Sequence, residues 1–181
     1  MFTFKNGDMY LGQWNPDSET PEGYGVITHK NTGAIYEGDF LDGRKHGKGK
    51  LYFGNGELSG GYFEGVYDKG YANGKGKLVY PDGKVYEGDV KQDMKHGQGV
   101  DSWPNGNRYE GSYREDKRDG FGVFTWPDGK QIEGHFKKDK KDGVAKTTND
   151  SGKVKYRFYK NDKMVQEITQ EQYETGLKNQ G

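Results

Sequence analysis

Apolar and polar positions alternate along most of this chain, in runs of five to nine residues. In Tyr109-Glu110-Gly111-Ser112-Tyr113, Tyr109, Gly111 and Tyr113 fall on one face of an extended strand, and Glu110 and Ser112 fall on the other. The alternation resumes from Gly120 to Trp126: Gly120, Gly122, Phe124 and Trp126 share a face, opposite Phe121, Val123 and Thr125. Between the two runs, Arg114 to Asp119 is charged and reads as a loop. Pro127-Asp128-Gly129 reads as a tight turn, Pro presetting φ and Gly accepting a left-handed conformation. The predicted unit is a β-hairpin followed by a turn into the next hairpin.

The unit recurs. Tyr36-Glu37-Gly38-Asp39-Phe40 returns as Tyr86-Glu87-Gly88-Asp89-Val90 and as Tyr109-Glu110-Gly111-Ser112-Tyr113 and, more loosely, at Tyr10, Phe63 and Ile132. The steps from Phe63 to Tyr86, Tyr86 to Tyr109 and Tyr109 to Ile132 are each 23 residues. A fixed period of this size marks a repeat architecture. The step from Tyr36 to Phe63 is 27 residues, lengthened by Ser59-Gly60-Gly61-Tyr62, and Asn15 to Glu22 is an insertion expected to form a longer loop. Glycines lie in phase beside large rings, as at Gly47 and Gly49 or Gly97 and Gly99, so each is expected to leave a slot for a ring from a neighbouring strand.

The fold class predicted is all-β: an elongated single-layer antiparallel sheet of consecutive hairpins with a short C-terminal helix. Residues 1–160 form the array, with a half repeat at 2–9, repeats starting near 10, 36, 63, 86, 109 and 132, and a terminal strand at 154–159. Residues 161–181 form a tail. There, Thr169-Gln170-Glu171-Gln172 reads as a capping box opening a helix at about 170–178, with Tyr173 and Leu177 on one face.

Tyr-x-Gly-x-aromatic, a charged segment, Gly-x-Gly and Pro-Asp-Gly at a period of 23 resemble the MORN repeat, best from Tyr86 to Lys130 and over roughly Phe2 to Tyr159. Repeat six departs from that pattern, with Ile132 for Tyr and Ala145 for the second Gly. The resemblance implies a non-enzymatic scaffold similar to cytoskeletal and ciliary members, including radial-spoke-head-like proteins of the axoneme. It also implies a weaker alternative, a peripheral membrane adaptor.

Composition sharpens this picture. Only 29% of residues are hydrophobic, but aromatics reach 14%, so the core is expected to be thin and ring-rich. The 28 basic and 28 acidic residues balance, which argues against nucleic acid as partner. Absence of cysteine excludes disulfides and thiolate metal sites. No secretory h-region is visible at the N-terminus, and a cytoplasmic location at the cytoskeleton or ciliary axoneme is expected.

No catalytic, metal or cofactor site is expected. His46 and His96 fill one repeat slot, and His29 and His135 stand without a matching nucleophile or carboxylate. Glu37, Glu64, Glu87, Glu110 and Glu133 recur once per repeat opposite the rings and are expected to pair with lysines such as Lys48 and Lys75. The expected partners are other proteins, contacted through Tyr86, Trp103, Tyr109, Tyr113, Phe124, Trp126 and Phe136; the same rings would equally serve as core. Lys137, Lys138, Lys140 and Lys141 are the candidate lipid contact, and the half repeat at Phe2-Thr3-Phe4 is a candidate edge for pairing with another chain.

Overall fold

The computed structural model describes residues 1–179. Among the described residues, fifteen antiparallel strands stand in chain order with no crossover. Two compact units divide the chain, Met1–Met94 and the residues from Lys95 onward. The first holds β1 (Phe2–Thr3), β2 (Met9–Asn15), β3 (Thr20–Thr28), β4 (Ile35–Leu41), β5 (Arg44–Tyr52), β6 (Tyr62–Asp68), β7 (Tyr71–Val79) and β8 (Val85–Lys91). The second holds β9 (Met94–Ser102), but for its first residue, then β10 (Arg108–Arg114), β11 (Lys117–Thr125), β12 (Gln131–Lys137), β13 (Lys140–Thr148), β14 (Val154–Lys160), β15 (Lys163–Ile168) and the helix α1 (Gln170–Lys178).

The charged segments inside the hairpins are not loops. Glu115 and Asp116, with φ of 49° and 67°, make a two-residue turn, and Lys117 already belongs to β11. Two left-handed residues give a turn whose twist matches that of the flanking strands. Lys138-Asp139 and Asn161-Asp162 turn the same way, and the latter launches β15, a strand inside the segment expected to be tail. Each turn aspartate also bonds to the preceding hairpin. The Asp116 Oδ1 accepts the Lys95 N–H at 2.8 Å, while the Asp116 N–H donates to the Lys95 carbonyl at 3.1 Å. Asp139 repeats both bonds with Arg118, Asp162 with Lys141, and Asp93 with Ala72. These charged residues therefore clip hairpin to hairpin.

The two glycines of Gly-x-Gly have different reasons. Across β10 and β11, Gly111 pairs with Gly122 but Tyr113 pairs with Arg118, so the register slips between them. Gly120 sits in that bulge at φ 110°, a conformation side chains resist. Gly122 instead lies under a ring: a Cβ there would stand 2.3 Å from the Tyr109 hydroxyl.

The core lies on the ring face of the sheet. Tyr36 meets Phe40 at 5.2 Å and Tyr67 at 5.0 Å, both edge to face; in the second unit Tyr109 meets Tyr113 at 5.4 Å and Phe136 at 5.2 Å in the same manner. That geometry sets the positive ring edge against a negative face. Tyr36 donates its hydroxyl to the Asp39 carbonyl and Tyr109 to that of Ser112, whereas the Tyr67 hydroxyl is buried without a partner. Cations close the stack from above: Lys45 over Tyr36 and Tyr67, Arg118 over Tyr109 and Phe136. Burial pushes the phenols of Tyr36, Tyr67 and Tyr109 well above their ordinary range. In the second unit, Lys95 and Asp101 form a buried ion pair at 2.8 Å, completed by the Tyr113 hydroxyl at 2.8 Å from Asp101.

Candidate functional site: the open face

The face opposite the rings carries two rows of side chains flanking a row of glycines. In the first unit, strand register aligns Glu37, Lys50, Glu64, Lys77 and Glu87 across β4 to β8. Lys50 reaches Glu64 at 3.3 Å and Lys77 reaches Glu87 at 3.0 Å, and the Glu87 carboxylate holds the Lys77 ammonium above its ordinary pKa. The glutamates thus pair with Lys50 and Lys77 rather than Lys48 and Lys75. Lys48 and Lys75, two residues earlier on the same strands, stand in the second row, where Lys75 pairs with Asp89 at 2.7 Å and the Lys48 N–H donates to Asp39.

Between the rows, Gly25, Gly38, Gly49, Gly65, Gly76 and Gly88 are direct strand partners. A Cβ on these glycines would point to the ring face, so its absence admits the rings there, while on the open face this row is backbone because alternate residues point away from it. The result is a groove of about 990 Å³ lined by Tyr24, Tyr62, Val66 and the charged rows, with Gly38, Gly49, Gly65, Gly76 and Gly88 along it. Tyr24 is 51% exposed and its hydroxyl donates to Glu37. Lys50 stands 3.9 Å above the Tyr62 ring.

In the second unit, the open face over β12 to β14 carries α1. The capping box is present: Thr169 Oγ1 accepts from the Gln172 N–H, and the Gln172 side chain accepts from the Thr169 N–H. Tyr173 is buried, its ring 5.2 Å from Tyr156 and its hydroxyl 3.4 Å from Glu133, and Gly176 lies against Val144. His135 shares this face. It packs edge to face on Phe121 at 5.6 Å with its Nδ1 buried and unpartnered, and burial pushes its pKa down.

The sequence-predicted ring residues divide by burial. Tyr86, Tyr109, Tyr113 and Phe136 are buried, Trp103 and Phe124 are half-buried, and Trp126 is 39% exposed, stacked at 4.6 Å on Phe124. Lys137, Lys138 and Lys140 are exposed around a tight turn, whereas Lys141 lies over the Tyr159 ring at 4.9 Å. Tyr24 and Tyr62 are groove residues that the ring-face reading missed. The available signal was their parity: each sits an even number of residues from its strand's glutamate or aligned polar position, on the face away from the core rings.

Two histidines have carboxylate partners, and for His29 this is against the sequence expectation. His29 Nδ1 lies 2.9 Å from Asp8, and His46 lies 3.5 Å from Asp68. Asp8 also accepts from the Lys30 N–H and the Asn6 amide. Burial alone would raise the Asp8 pKa, but these hydrogen bonds outweigh it and the carboxyl titrates below its ordinary range. The cluster closes the half-repeat turn onto the turn at 29–34. Among the described residues no group of three His, Asp or Glu side chains is placed to hold a metal ion.

A family model describing the MORN repeat matches residues 36–57, 63–85, 86–108, 109–131 and 133–154, more than half the chain. The chain belongs to the MORN repeat family. No protein of curated function matches it in sequence. Among solved structures, this MORN array is similar to the TCP domain of Drosophila melanogaster SAS-4, solved with a proline-rich motif of Ana2, at 15% identity and a TM-score of 0.51 over 87% of this chain and 81% of that one. A second structure of that fly domain, at 15% identity and a TM-score of 0.47, covers 87% of this chain and 90% of that one. At such identity the likeness is one of fold.

Proposed function

We propose that this MORN array is a non-enzymatic scaffold that holds an extended segment of a partner protein in the open-face groove of the first unit, within a cytoskeletal assembly such as a ciliary axoneme. The observation that carries this reading is the groove itself: backbone along the floor, Tyr24 and Tyr62 on the walls, and, among the described residues, no element of the first unit over it. Tyrosines beside a shallow channel, Tyr24 exposed and Tyr62 half-buried, suit an extended, proline-bearing segment, which loses little entropy on docking. The TCP domain of SAS-4, a similar fold, is solved in complex with a proline-rich motif, which supports a segment of this kind as the partner. The flanking charge ladder would set register along the segment, since a mismatched charge opposite Glu64 or Lys77 is penalised. Contact through Trp103, Phe124 and Trp126 on the ring face is the second surface we put forward, because their rings reach solvent.

Detergent fractionation of the native cell type tests the reading. The wild-type chain is expected in the detergent-resistant cytoskeletal pellet, and a Tyr24→Ala, Tyr62→Ala chain in the soluble fraction with its fold intact. Release of the wild-type chain with solubilised membrane would instead support a peripheral membrane adaptor working through Lys137, Lys138 and Lys140.

A further inference from the structure

We propose a second, separate site: a pocket on the ring face of the last repeat that binds a compact polyvalent anion of the phosphate class. It arises from the two departures of repeat six. Ile132 stands where Tyr10, Tyr36, Tyr86 and Tyr109 stand in other repeats, and strand register aligns it with Phe124, Thr147 and Lys155. In a regular repeat such as that of Tyr36, the ring fills the space between the next repeat's ring, Tyr67, and the cation above them, Lys45. Here the equivalents are Tyr159 and Lys141, and Ile132 is too short to fill the gap. Ala145 explains the exchange. At the matching Gly49 a Cβ would stand 2.3 Å from the tyrosine hydroxyl, so a methyl there excludes the ring.

The space left is a pocket of about 340 Å³, and its chemistry is one-sided. Five cationic side chains line it and no acidic one does. Arg157 occupies the row that is glycine elsewhere, being the strand partner of Ala145, and its Nε is buried without a hydrogen-bond partner. A buried guanidinium N–H left unbonded is costly, and the Arg157 side chain that carries it lines the pocket, where its guanidinium charge favours an anion. Lys141, Lys153 and Lys155 converge on the same volume, with the rings of Trp126 and Tyr159 closing its sides. Some of this charge is balanced nearby: Glu167 lies 2.6 Å from Lys155 and 3.9 Å from the Arg157 Nη2, Lys130 lies 2.7 Å from Asp128, and Lys141 lies 3.9 Å from Asp162. The surplus remains positive. An array neutral overall thus concentrates cations at the one repeat that lacks its ring. Planar bidentate donors suit a phosphate, and the volume admits more than one phosphate group.

Calorimetric titration of the full chain with inorganic pyrophosphate tests the site. Wild type is expected to bind, and Arg157→Gln at least tenfold more weakly. The double variant Ile132→Tyr, Ala145→Gly restores the ring while keeping every cation; it is expected to lose binding and to melt at a higher temperature. It remains a valid test even if Arg157→Gln fails to fold. Replacing Lys137, Lys138 and Lys140 by Gln should leave binding unchanged. Vesicles containing a phosphatidylinositol bisphosphate identify the source: co-sedimentation lost in the two pocket variants makes the anion a lipid headgroup, and no co-sedimentation makes it a free phosphate. Undetectable pyrophosphate binding by wild type, or equal binding by wild type and the ring-restored variant, overturns the proposal.

Discussion

The open face of the first unit and the open face of the last repeats are built on the same backbone, yet one is bare and the other carries a helix. The position held by Lys48 and Lys75 in the first unit is held by Val144 near the end of the chain. The row that runs Glu37, Lys50, Glu64, Lys77 there ends in Lys146 and Tyr156 here. Val144 and Tyr156 offer apolar area on which Tyr173 and Gly176 settle. Lysine and glutamate pairs offer little that a helix could cover without desolvating charge. The side chains on a fixed scaffold therefore decide whether a MORN face is closed by its own chain or left for another.

This comparison can be broken in four places. The largest effect is expected from Tyr173→Ala, which removes the one buried side chain of α1; the helix should open at a cost of about 3 kcal/mol, read as lost amide-exchange protection in 170–178 while the strands keep theirs. Val144→Lys gives the last repeat the first unit's residue and should release α1 with a loss of about 2 kcal/mol by the same readout. If protection survives, apolar area at this position is not what holds the helix.

The third effect is pH-dependent. The His135 pKa is depressed in the folded chain, so its contribution is fully present above the unfolded value of about 6.5 and is lost as pH falls from there toward the folded pKa. A melting curve series from pH 8 to 5, conditions chosen to bracket that value of about 6.5, should show that slope, and His135→Gln should flatten it. The smallest effect is expected at the bare face. Lys77→Ala removes an exposed ion pair and should leave the melting temperature unchanged, because such pairs contribute little, while weakening any partner held along the ladder.

Much of this was legible in the sequence. The strands β2 to β14 follow from alternation at a fixed period, and α1 from Thr169 and Gln172, since both signals are local. The charged hairpin tips were misread as loops because Glu115 and Asp116 look like solvated residues; only the bonds from Asp116 to Lys95, 21 residues away, show them to be turn and clip. β15 was missed for the same reason, as Asn161-Asp162 is another such turn. The groove escaped because attention to rings as binding groups leads to Tyr109 and Tyr113, which the neighbouring repeats bury.

By itself the sequence determined the repeat, the hairpin, the phase of the glycines and the parity that separates rings from charges, because each depends on residues a few positions apart. Tertiary structure alone decided which face became core and which stayed open, since a ring is buried only when the next repeat's ring and cation close over it. It also decided that Lys50 rather than Lys48 meets Glu64, because the register of β5 on β6, set by pairing between residues distant in the chain, puts Lys48 opposite Val66. And it turned Ile132 and Ala145, two unremarkable departures from a pattern, into a pocket, because an absent ring matters only where its neighbours leave the space unfilled.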